Sequence, residues 1–262
     1  MTTFSAIQTR VQNRLIDVRT ETSNEIPNLI NLAMRQLEWL HNFAAMENEA
    51  VLNTTVATRV LGSLPTTFKE FRGGNAWYID QTGAASKVFH RPTLEEVLAE
   101  YAFDDTTEVG APRVILVVPT DTGGGATDEN GPTFQVQVWP YPDGNSGYTP
   151  SGGALGEYPV HIPYWGLLSD LVLSTDANWF TDNAEDFLVA AACAEGFYMN
   201  EDENRGMLWE DRAYGKNFRE TSVIGGYAKM AINRDKRRRI GQTNTLIPRR
   251  DVFAPRNQMR LS

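Results

Sequence analysis

Asp121-Thr122-Gly123 follows the apolar run Val114–Pro119 with only Thr120 between them. An aspartate in that setting is one half of a proton-sharing pair, in which two close carboxylates cannot both ionise and so divide acid and base roles. The chain offers no second Asp-Thr-Gly, and the motif runs on into Gly124 and Gly125. A loop tip is therefore the better reading. The same glycines do not make a phosphate cradle, since no Gly-Lys-Ser/Thr follows them and no helix opens there. His41, His90 and His161 lie far apart without metal-ligand spacing, His41 at a helix end and the other two on strands. Cys193 sits in the apolar face of Ala190–Gly196, where a buried thiol is expected. The acidic clusters Phe103–Glu108 and Asn200–Gly206 lack a calcium-loop pattern. No catalytic constellation assembles, so the chain is expected to be no enzyme and to need no cofactor or metal.

Charge is distributed unevenly. Asn233–Ser262 holds nine Lys/Arg and two Asp, a net of +7, whereas Met1–Ile232 holds 15 basic and 31 acidic residues, a net of −16. Trp139, Tyr141, Tyr158, Tyr164 and Trp165 could stack bases, but no Lys or Arg occurs between Val114 and Asn204. A nucleic-acid surface there would lack phosphate partners, which favours core and subunit-interface packing. No stretch approaches the roughly 18 apolar residues of a membrane span. The first residues are polar and carry no signal-peptide core, and the single cysteine excludes an intramolecular disulfide. A protein made in a cytosol is expected.

The elements follow from periodicity. Phe4, Ile7, Val11, Leu15 and Val18 form one helical stripe; Ile26, Leu29, Ile30, Ala33, Leu37 and Leu40 form a second after a break at Thr20–Asn24. The short connection predicts an antiparallel hairpin. From Ala50 the chain turns to β-branched and aromatic runs: 50–62, 75–80, 86–91, 113–119, 133–140 and 157–168. Thr93 and Glu96 predict a capping box for one short helix among them. The Gly/Pro-rich segments 119–132 and 141–156 read as mobile tips. Thr181 or Asp182 can cap a helix carrying Phe187, Ala190, Ala191, Ala194, Phe197 and Tyr198. Another, starting near Glu203, could reach Lys236 as a rod of about 50 Å. Gly215, Gly225 and Gly226 within it signal close packing or a kink.

The predicted fold is α+β: a four-helix bundle from the N- and C-terminal segments, with an inserted antiparallel β-domain and an extended C-terminal arm. The boundaries expected are 1–48 for the N-terminal hairpin, 49–180 for the β-domain, 181–234 for the C-terminal helices and 235–262 for the basic arm.

Three uses of the arm compete: a solvated tail, a nucleic-acid arm built on the Lys236-Arg237-Arg238-Arg239 block, and a docking arm that orders against a protein partner. Ile240, Leu246, Ile247, Val252, Phe253, Met259 and Leu261 favour docking, and Pro248 and Pro255 keep the chain extended.

The order of features resembles the head-to-tail adaptor, or connector, proteins of tailed bacteriophages. A helical hairpin is followed by Leu64-Pro65-x-x-Phe68 with Glu70. Next come a strand ending in the Pro-x-Pro turn Pro140-Tyr141-Pro142, a Trp179-led helix start, a long charged helix and an arm. The loops 121–132 and 143–156 are longer than usual for that family. The resemblance implies a structural virion protein at the head–tail interface, assembled in the host cytoplasm. It further implies a homo-oligomeric ring, usually of twelve copies, bound beneath the portal protein, offering a platform to tail or nozzle proteins and letting genomic DNA pass without specific binding. The arm then clasps the portal. The residues expected to do so are Lys236, Arg237, Arg238, Arg239, Ile247, Arg249, Arg250, Phe253, Arg256, Met259 and Arg260. Alternatives are another neck or tail-tube ring subunit, or a nucleic-acid-binding module.

Overall fold

A computed structural model describes residues 1–16, 19–73, 75–79, 85–91, 93–101, 109–120, 133–143, 157–216 and 218–246. The chain divides into two compact units, one of Met1–Ala45 with Ser169–Ser262 and one of Met46–Leu168. The class is α+β.

The first unit is helical. Its elements are α1 (Phe4–Arg14), α2 (Thr20–Asn24), α3 (Ile26–Leu40), α5 (Trp179–Asn183), α6 (Glu185–Met199), α7 (Glu203–Tyr214), α8 (Phe218–Thr221) and α9 (Gly226–Leu246). The expected four-helix bundle is not confirmed; the arrangement centres on α6. Phe187 to Ala194 is buried without interruption, so α6 has no solvent face in that stretch. Helices α1, α3, α7 and α9 all pack on it. Gly196 sets how closely α1 and α3 approach, because a Cβ there would lie 2.9 Å from Leu15 Cδ1 and 3.5 Å from Leu29 Cδ1.

Both N-terminal stripes bury as their spacing predicts: Phe4, Ile7, Val11 and Leu15, then Ile26, Leu29, Ile30, Ala33 and Leu37. Val18 lies outside the described residues, and Leu40 is half-buried. The break at Thr20–Asn24 is itself the helical turn α2. The first turn of α1 has no side-chain cap. Instead the N–H groups of Phe4 and Ser5 donate to the carbonyls of Asp176 (2.8 Å) and Ser174 (3.1 Å), so distant chain supplies the acceptors a helix start lacks.

Two C-terminal expectations need correction. The helix carrying Phe187 to Tyr198, α6, opens after Ala184 with no side-chain cap, so neither Thr181 nor Asp182 caps it; both lie inside the preceding α5, which Asn178 caps in a reciprocal box with the buried Thr181. The long rod is also interrupted. Gly215 (φ +97°) ends α7 and Gly226 (φ +50°) opens α9, both in backbone that a side chain would strain. The chain between them closes on itself, with Gly225 N–H donating to Tyr214 O at 2.5 Å.

The second unit is a sheet. Its strands are β1 (Glu47–Asn53), β2 (Val60–Ser63), β3 (Phe68–Phe71), β4 (Asn75–Ile79), β5 (Ala85–His90), β7 (Val114–Thr120), β8 (Thr133–Trp139) and β10 (Pro159–Gly166); β6 (Val109–Gly110) pairs separately with β9 (Tyr141–Pro142). The main order is β1-β10-β4-β5-β7-β8-β2, with β3 also on β10. The end strands β1 and β2 touch, so the sheet is nearly closed.

The sheet is mixed rather than antiparallel: β5 runs parallel to β7 and β6 to β9. A parallel pair needs a crossover, and α4 (Leu94–Leu98) lies on the connection from β5 to β7. Thr93 caps α4 by accepting from Glu96 N–H at 3.3 Å. Alternation along β7 explains its unbroken apolar run. Ile115 joins one cluster with Val88, Val138, Val160 and Ile162, while Val114 and Leu116 join Val97 and Trp139 in another.

Candidate functional site

The residues expected to bind a partner begin on α9. Its buried positions Ala228, Ala231, Ile232 and Asp235 follow helical spacing, so one face packs on the unit while Lys236 and Arg237 stand exposed. Arg238 and Arg239 continue the same helix. The extended arm expected from Asp235 therefore starts as helix, since α9 runs to Leu246. Ile247, Arg249, Arg250, Phe253, Arg256, Met259 and Arg260 lie outside the described residues.

Asp235, fully buried, is the element that sequence reasoning missed. Its Oδ1 accepts from Ala44 N–H at 2.8 Å and its Oδ2 lies 3.0 Å from His41 Nε2. His41 ends α3, and its ring meets Phe43 edge-on at 4.8 Å. Phe43 is buried against Phe180 and Trp179, at 5.0 and 5.1 Å between ring centroids. One residue earlier, Arg234 donates to the carbonyl of Asn183 at the end of α5. The start of the basic block is thus tied both to the chain after α3 and to α5. An acid on an otherwise apolar helical stripe was the signal available in the sequence.

The groups singled out for chemistry do not converge. Burial pushes the Cys193 thiol up to about 12, so it stays protonated in α6. His161 stacks on Trp77 at 3.8 Å and pairs with Glu49. His90 is held below its usual range by burial, against the opposing pull of Glu96. Among the described residues no group of three or more His, Cys, Asp or Glu could hold a metal. Asp121 and Phe103–Glu108 lie outside those residues. Trp139, Tyr158, Tyr164 and Trp165 are buried in the sheet unit, and Tyr141 is half-buried with the Arg59 guanidinium 4.3 Å from its ring centroid, so the five do not present a row of open ring faces. No helix among the described residues is long and apolar enough to cross a membrane.

No curated protein matches the chain. A family model described as SU10 adaptor protein matches residues 2–241, nearly the whole chain, and the chain belongs to that family of phage head-to-tail adaptors.

Proposed function

We propose that this SU10 adaptor protein forms a ring between the portal and the tail of the virion, continues the DNA channel, and binds the portal through the residues that follow the Asp235 anchor. The observation that carries the reading is the anchor itself. A basic chain end with no core could leave the body anywhere, but Asp235 and Arg234 hold its first turn against buried groups. Ordering a residue on docking costs roughly 1–2 kcal/mol for backbone, so a start already held in α9 carries none of that cost. Apolar residues Ile247, Phe253 and Met259 among the arginines supply area as well as charge. A ring, of twelve copies by likeness to connectors, adds avidity without new contact types.

The net charge of −16 over Met1–Ile232 suits a channel wall, because acidic surface repels phosphate and lets DNA slide. In this reading the protein is structural, has no catalytic activity, and offers its far side to tail or nozzle proteins.

The test is co-sedimentation with portal rings of the same phage, comparing the full chain with one ending at Leu246. That truncation keeps all of α9 and the Asp235 contacts, which a cut at Asn233 would remove. Pelleting of the full chain alone supports the arm as the portal contact. If both pellet, the contact lies within Met1–Leu246, in α9 or the body, and not beyond Leu246; if neither does, the portal reading fails.

A further inference from the structure

A groove of about 490 Å³ in the helical unit is cationic although the body is acidic. Arg10, Arg14, Arg212, Trp209, Tyr227 and Asp186 line it, from α1, α6, α7 and α9. Arg10 is paired with Glu185 at 2.9 Å. Arg14 and Arg212 have no carboxylate partner among the described residues. Both instead lie against the Trp209 indole, with guanidinium carbons 5.9 and 4.5 Å from its centroid. Each stands in the last turn of its helix, where a cation complements the dipole. That accounts for their charge but leaves their hydrogen-bond donors unused. A guanidinium near an aromatic ring can still present its in-plane N–H groups, which match a carboxylate in bidentate fashion.

We propose that this groove binds an acidic peptide segment of a partner protein, with carboxylates on Arg14 and Arg212 and an apolar side chain against Trp209 and Tyr227. Charge complementarity and shape select this occupant. The concavity takes one chain segment, whereas a DNA duplex requires a track of cations along successive phosphates. Arg212 already lies over the indole, on the ring that a single-stranded base would need for stacking. The proposal concerns α1 and α7 rather than the arm, so it stands or falls independently of portal binding.

The test uses the full chain and fluorescein-labelled oligoglutamate ending in leucine, with oligoglutamine-leucine and oligothymidylate of equal length for comparison. The Arg14→Gln/Arg212→Gln variant retains the basic arm, so any background from the arm is common to both proteins. Loss of about tenfold or more in oligoglutamate affinity is expected, with oligoglutamine not binding. Hydrogen exchange on the unsubstituted chain should show protection of α1 and α7 amides when the acidic peptide is added. Equal affinity in both proteins, or no protection of these helices, overturns the proposal. Tighter binding of oligothymidylate through the same arginines also overturns it and makes nucleic acid the ligand.

Discussion

Asp235 shows how a single side chain can decide what a chain end does. It is the one acid in the basic block Arg234–Arg239, and in a charge count it merely lowers the sum. Its partners, Ala44 N–H and His41, are 191 and 194 residues away, and no local pattern shows them. Its own position was legible, because 228, 231, 232 and 235 continue one helical face. Asp235→Ala removes the fully buried carboxylate that meets the His41 ring and the part-buried Ala44 N–H, and is expected to cost about 3 kcal/mol. Asp235→Asn keeps an oxygen for Ala44 N–H and should cost about half of that. Urea midpoints at constant m-value would measure both. A loss below about 0.5 kcal/mol for the alanine variant would mean that Asp235 does not hold α9.

Among elements, the contrast lies between what periodicity reads and what it cannot. The stripes of α1 and α3 and the apolar runs of β5, β7, β8 and β10 follow from residue type and spacing. Strand β3 escaped notice because Phe68–Phe71 is four residues long and owes its pairing to the distant β10. The rod from Glu203 to Lys236 failed for a different reason: helical spacing persists across Gly215–Gly226, while backbone sign does not show in a stripe. At Gly226, φ is +50° and an added Cβ would lie 2.3 Å from Arg212 O and 2.9 Å from Ala213 O. Gly73 has φ +81° with nothing within 4 Å of such a Cβ. Gly73→Ala should therefore cost only the left-handed strain, about 1 kcal/mol, and Gly226→Ala should cost roughly twice that or more. Thermal denaturation of the two variants separates strain from clash. Equal losses would mean that the α7–α9 turn yields without penalty.

At the scale of the molecule, the change of period near Ala50 and its return near Thr181 is what made the α+β class legible. How the middle of the chain enters and leaves its sheet was not. Strands β1 and β10 pair antiparallel with Glu47 opposite Trp165, so the segment begins and ends on neighbouring strands, about 5 Å apart. The helical unit has a core of its own, since Phe4, Ile30, Leu37, Phe43, Phe180 and Phe187 are all fully or almost fully buried within Met1–Ala45 and Ser169–Ser262. Each such side chain contributes about 1.5–3 kcal/mol on burial. A Gly/Ser linker in place of Met46–Leu168 removes none of those residues. The shortened chain is expected to keep its helical circular dichroism and a cooperative thermal transition. Loss of that transition would show that the helices need the sheet to fold. Retention, followed by co-sedimentation with portal rings, would assign portal binding to the helical unit and its arm and leave the sheet for other contacts in the virion.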